Sequence, residues 1–382
     1  MTWIAGEGWA SSAPHLREAP VFVERTSVGL DVHARSIVAC GLDTVTGRLT
    51  RQRLVPSGPV VLAWLAGLPG SCAVVYEAGP TGFGLARQLA AAGVRCVVAA
   101  PSKLQRPVGD RVKTDARDAE HLARLLRMDE IVEVRVPSVA QEAARDLVRA
   151  REDVRGDLMR CRHRLSKLLL RHGIVYSGGK AWTARHELWL RGQRFDQRGV
   201  QLAFDAELEA LLLCLDRRHR LDAEIMVMAG EQPWAPVVRR LGCLRGVSTL
   251  TGFALAVEIG DWDRFTGATI GAYLGLVPTE SSSGARRAQG SITKTGNTHA
   301  RRLLVEAAWH HRKNYDKPSV VLSKRWAQVS PLAKARGHAG NHRLHRRWMA
   351  FTARGKRPVV ANVAIARELA GWCWSLAVLD ED

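Results

Sequence analysis

The sequence predicts an α/β domain followed by an all-α remainder. Short β-branched runs with tight turns occupy the first third of the chain. Beyond Pro137 apolar residues instead recur at helical spacing amid alternating charges. At 382 residues the chain has room for two or three domains, each with its own core.

Strand-like runs over 27–31, 36–42 and 48–54, with a turn at Thr46-Gly47, predict an antiparallel meander. An apolar helix near 59–66 follows, then a buried strand over 72–77, a helix over 85–92 ended by Gly93, and a strand over 94–99. A further helix starts after Thr114. The order β-β-β-α-β-α-β-α fits a mixed sheet with helices packed on it, as in ribonuclease-H-like folds.

Two long charged helices are expected over about 138–172 and 199–229, separated by a turn at Ser177-Gly178-Gly179-Lys180 and a segment, 182–198, without a clear pattern. Such a pair suits a coiled-coil-like spacer that dimerises or a simple connecting domain. From Pro236 two helices joined by Arg245-Gly246-Val247-Ser248 are expected, then a polar loop over 279–284, and helices again from His299. The expected division is an extension over 1–25, the sheet domain over 26–135, the helical spacer over 136–235 and a mainly helical C-terminal domain over 236–382.

The net charge of +19 points to a polyanionic partner, most simply nucleic acid. From Gly284 to Arg357 there are 18 Lys and Arg against only Glu306 and Asp316, a net +16. Nucleic-acid contact is therefore expected near the C-terminus. No apolar run approaches a membrane span, and the N-terminus lacks the basic start and apolar core of a signal peptide, so a cytoplasmic protein is expected. Seven cysteines without a Cys-x-x-Cys pair suit reduced thiols rather than structural zinc.

Four carboxylates on three elements could do chemistry. Asp31 and Glu77 end strands, where a rigid scaffold fixes a side chain beside open loops. Asp115 and Asp118 share one helix face, with Cβ atoms about 5 to 6 Å apart. Each could be only a helix cap or a surface acid. As a set of hard oxygen donors they suit Mg²⁺ or Mn²⁺, and two such ions about 3.5 to 4 Å apart would serve phosphoryl transfer. Ser281, Ser282 and Ser283 lie in the polar loop, with Arg286, Arg287, Lys294, Arg301 and Arg302 nearby to neutralise a phosphate. His310, His311 and the histidines over 338–345 suit solvated or phosphate-contacting roles.

Gly29-Leu30-Asp31-Val32-His33, Tyr76-Glu77-Ala78-Gly79-Pro80-Thr81-Gly82, Lys113-Thr114-Asp115-Ala116-Arg117-Asp118-Ala119, Gly275-Leu276-Val277-Pro278, Ser283-Gly284 and Ile292-Thr293-Lys294-Thr295-Gly296-Asn297 together resemble the DEDD transposases of insertion-sequence family one-ten. The likeness spans about 26–372. It implies a Holliday-junction-resolvase-like N-terminal domain whose acids, here Asp31, Glu77, Asp115 and Asp118, bind divalent metal. It implies that a serine preceding a glycine, here Ser283, attacks DNA and forms a phosphoserine link. It also implies a homo-oligomer, dimer or tetramer, in which acidic and serine domains of different subunits meet, and a structured guide RNA encoded by the element. Arg245-Gly246-Val247-Ser248 departs from that family's glycine-rich turn. The alternatives are a metal-dependent junction nuclease that uses its acids alone, or a nucleic-acid-binding protein with a dead site.

Overall fold

A computed structural model of the protein describes residues 24–105, 114–283 and 286–379. Most of the extension expected over 1–25, together with Lys113 and Gly284, lies outside the described residues. The chain forms two units, Met1–Pro137 and Ser138–Asp382.

In the first unit β1 (Thr26–Val32), β2 (Ile37–Asp43) and β3 (Leu49–Leu54) form the expected antiparallel meander. Then come α1 (Gly58–Ala66), β4 (Cys72–Glu77), α2 (Gly84–Ala91), β5 (Arg95–Ala99) and α3 (Asp115–Arg127). β4 pairs in parallel with both β1 and β5, giving a five-stranded mixed sheet in the order β3-β2-β1-β4-β5.

Side chains alternate between the two faces of a strand, so the sheet carries two cores. Val28, Leu30, Val74, Tyr76 and Val98 pack on one face against Val61 and Leu65 of α1 and Ala86 and Leu89 of α2. On the other face Ala73, Val75, Val97 and Ala99 meet Leu122 and Leu126 of α3. Gly29 lies where α3 crosses β1. A Cβ there would overlap the Ala119 carbonyl and approach the Ala123 nitrogen to 2.6 Å. Gly29→Ala is expected to lower stability by about 1–3 kcal/mol, because overpacking against backbone leaves no side chain to yield. Urea unfolding checks this, and an unchanged midpoint would mean that α3 does not press on β1.

The second unit begins with α4 (Val139–Arg171), α5 (Ala184–Arg191) and α6 (Arg198–Met228). The pairs Arg151–Asp222, Cys161–Cys214 and Arg164–Glu207 run in opposite senses along α4 and α6, so the two helices form an antiparallel hairpin. Leu158, Leu165, Leu168, Phe204 and Leu211 fill it. α7 (Ala235–Leu241), α8 (Thr249–Ile259) and α9 (Ile270–Tyr273) follow, then β6 (Pro278–Ser283), β7 (Arg286–Ile292), α10 (Thr298–Ala308), α11 (Val320–Trp326), α12 (Pro331–Ala353) and α13 (Pro358–Ala377). Phe253 and Val257 of α8 pack with Ala144 and Val148 of α4 and Ile225 of α6. This core is shared by α4, α6 and α8 within the unit Ser138–Asp382.

The structure corrects one expectation here. Residues 279–283, foreseen as loop, are strand, paired antiparallel with β7. The hairpin buries almost nothing: residues 279–281, 283 and 288–291 are exposed. It therefore lacks the apolar alternation by which a strand is recognised.

Candidate active site

Leu30 of β1 pairs with Tyr76 of β4 in parallel register, so Asp31 and Glu77 follow side by side at the carboxyl ends of neighbouring strands. Adjacent strands lie about 4.8 Å apart. Alternation turns both acids toward the α3 face, since Gly29 and Val75, two residues earlier, meet α3 there. The start of α3 is fixed by Thr114, whose hydroxyl accepts from the Arg117 amide at 3.4 Å. Asp115 and Asp118 occupy the first turn, where the helix dipole favours negative charge. Arg51 of β3 donates to Glu120 at 2.5 Å and ties α3 to the sheet.

This construction brings Asp31, His33 and Asp115 together, with one ligand atom of each within 4.8 Å of the others. His33 Nε2 lies 3.1 Å from Asp31 Oδ2. Arg53 approaches Asp115 Oδ2 at 3.5 Å. Glu77 stands beside this group and lines, with Asp31 and His33, a cleft of about 800 Å³. Asp118 lies one turn beyond Asp115 on α3. Two carboxylates and an imidazole at the ends of rigid elements are a donor set that fits a divalent cation. Sequence reasoning overlooked His33, although it stands two residues after Asp31.

In the second unit Ser283 ends β6, is exposed, and pairs with Arg286 across the hairpin. Ser281, two residues earlier, is also exposed. The hairpin root is an interlocked double turn. The Lys294 amide donates to Gly275 O at 3.1 Å and the Thr293 amide to Val277 O at 2.9 Å. Gly275 and Gly296 both have positive φ, and a Cβ on either would strike the opposite backbone. Lys294 is exposed at this turn. Arg301 donates to Leu274 O at 3.0 Å and to Thr295 O at 2.7 Å. Arg302 pairs with Glu306 at 2.6 Å and with Glu152. Arg301 and Arg302, expected as phosphate ligands, are thus engaged in holding the double turn and in pairing α10 with α4.

Below this turn lies a cluster that sequence reasoning did not anticipate. The Glu258 side chain is fully buried and accepts from both arms of Arg149 at 3.1 and 3.0 Å, from Asn297 Nδ2 at 2.7 Å, and lies 3.2 Å from His299 Nδ1. Burial alone would push its carboxyl up, but the hydrogen bonds from His299, Arg149 and Asn297 outweigh that and hold it at about 2. Asn297 also caps α10 by accepting from the Ala300 amide at 2.9 Å. The one available signal was a lone acid on the otherwise apolar helix TLTGFALAVEI.

His311 also departs from expectation. It is fully buried, and burial, with Arg245 nearby, lowers its ring to about 3. His338 Nδ1 lies 3.0 Å from the Tyr315 hydroxyl. Arg245 spends its guanidinium on the carbonyls of Asn314, at 2.9 Å, and Lys313, at 2.8 Å. Ser248 caps α8 by accepting from the Thr251 amide at 3.1 Å. The turn between α7 and α8 is therefore built from structural contacts.

A mixed five-stranded sheet with acids at the ends of β1 and β4 and at the start of α3 is consistent with the DEDD class of ribonuclease-H-like folds. A family model for DEDD transposases of the IS110 type, described as "Transposase", matches residues 28–174. A second, described as "Transposase IS116/IS110/IS902 family", matches residues 238–320. A putative transposase of Sinorhizobium fredii is 40% identical over 79% of this chain and 74% of its own length. The transposase for insertion sequence element IS1533 of Leptospira borgpetersenii is 30% identical over 86% of this chain and 97% of its own. A probable family 20 transposase of Pseudomonas aeruginosa is 28% identical over 74% of this chain and 82% of its own. The chain belongs to the IS110 family of insertion-sequence transposases.

Proposed function

We propose that the protein cuts and rejoins DNA at the ends of its insertion sequence through a covalent link to Ser283, assisted by a divalent cation held among Asp31, Glu77, Asp115 and Asp118. The observation that carries this reading is the convergence of Asp31 and Asp115, from a strand end and a helix start, with Asp31 and Glu77 also lining an open cleft. A bound Mg²⁺ or Mn²⁺ would stabilise charge on the phosphoryl oxygens. Ser283 Oγ attacks the scissile phosphorus, its new P–O bond replaces the bond to the leaving strand oxygen, and that oxygen departs with the proton. A hydroxyl of the new partner strand then reverses the exchange and frees the serine. One phosphodiester is traded for another, so no ATP is needed.

The exposed position of Ser283 at a hairpin end suits attack on a bulky duplex. The cations over 284–357 supply the phosphate grip, with Lys294, Lys313, Lys317, Lys324, Arg346, Arg354, Lys356 and Arg357 exposed. Arg286 and Arg287, flanking Ser283, are assigned to the same grip. The acids and the serine lie in separate units of the chain. We assign the working form to a homo-oligomer, with the α4–α6 hairpin as its coiled-coil-like contact, a structured RNA from the element as guide, and the cytoplasm as its place of action. Among the described residues no helix is long and apolar enough to cross a membrane.

Purified protein incubated with DNA carrying the element's ends, its target and the RNA transcribed beside the gene should exchange strands in Mg²⁺ or Mn²⁺ and stop in EDTA. Full activity in EDTA would contradict the assignment of a metal to this site.

A further inference from the structure

We propose that His33 is a further metal ligand through Nε2, and that this nitrogen makes the site select Mn²⁺ over Mg²⁺. The inference rests on the metal reading above and adds to it a residue outside the four acids. His33 directly follows β1, and its amide donates to Ser36 O at 2.9 Å, which closes the β1–β2 turn and fixes where the ring begins. The Nε2 atom stands 3.1 Å from Asp31 Oδ2, and both lie within 4.8 Å of a ligand oxygen of Asp115. With bonds of about 2.1 Å, neighbouring ligands of an octahedral ion are about 3 Å apart and opposite ones about 4.2 Å. The three donor atoms are thus spaced for a common ion after small side-chain rotations.

Each of the three groups can reach an arriving ion. The side chains of Asp31, His33 and Asp115 are 22%, 54% and 48% exposed. Arg53, 66% exposed and 3.5 Å from Asp115, is an open pair that a cation can displace. The selectivity follows from donor chemistry. Carboxylates suit both Mg²⁺ and Mn²⁺, whereas an imidazole nitrogen favours the transition-series ion, because Mg²⁺ holds to oxygen ligands and its waters.

The test is pulsed electron paramagnetic resonance of the full-length protein loaded with Mn²⁺, together with calorimetric titration of Mn²⁺ and Mg²⁺ into wild type and His33→Ala. The expected spectrum shows coupling of Mn²⁺ to a directly bound ¹⁴N that disappears in His33→Ala. Mn²⁺ affinity should fall at least about tenfold in that variant while Mg²⁺ affinity changes less than about threefold. Mn²⁺ bound without nitrogen coupling, or coupling that persists in His33→Ala, overturns the assignment and leaves the carboxylate site standing. Absence of Mn²⁺ binding by the wild type overturns both.

Discussion

Asp31→Asn is expected to lower DNA strand cleavage by at least about 10³-fold, a loss of about 4 kcal/mol of transition-state stabilisation. The change keeps the shape of the side chain and removes one negative charge from the point where β1, β4 and α3 converge. Asn can still accept from His33 but is a poor ligand for a hard cation. Because Asp31 lies near the strand end and its side chain is partly exposed, the fold should be untouched. Circular dichroism and thermal melting should match wild type while a gel assay on end-bearing DNA shows the loss. Asp115→Asn should behave alike, whereas substitution of Glu120, which pairs with Arg51 and Arg124, should affect mainly the seating of α3.

Glu258→Ala should destabilise the second unit by about 3–5 kcal/mol, the usual consequence of leaving half of a buried ion pair without its partner. Arg149 is 56% exposed and can turn partly to water, which places the expected loss at the lower end. Asn297 and His299 have less freedom to compensate, and the double turn under the serine hairpin loosens with them. The pH dependence has a definite sign. The folded carboxyl is held at about 2 against an ordinary 4.5, so its stabilisation is complete above about pH 4.5 and fades as pH falls toward 2. Melting followed from pH 7 to pH 3 should show a steeper acid loss in wild type than in Glu258→Gln. Equal slopes would place the acid sensitivity elsewhere.

The sheet domain was largely legible because its strands are buried runs with regular connections. β1, β2, β4 and β5 alternate or run apolar, and Gly93 punctuates the end of α2. The strand-end positions of Asp31 and Glu77 and the helix-start positions of Asp115 and Asp118 could likewise be read from the sequence. The serine hairpin was not legible, since exposed Ser, Thr, Gln and Gly residues carry no periodic signal. Nor were the fates of Arg301 and Arg302 visible. A cation near a polar loop reads as a phosphate ligand until its partners, Leu274 O and Thr295 O for one, Glu152 and Glu306 for the other, are brought from distant positions. Glu258 and His311 share that cause, whereas His33 has Asp31 two residues away and only Asp115 is brought to it by the fold.

Ser283 is assigned to carry the strand during exchange. Wild-type protein and Ser283→Ala, each incubated with end-bearing DNA, RNA and Mn²⁺, can be denatured, digested and examined by mass spectrometry for nucleotide-linked peptides. A denaturant-stable adduct on Ser283 is expected in wild type and none in the variant. Cleaved DNA without any adduct, or an adduct on Ser281 or Ser282, would contradict it.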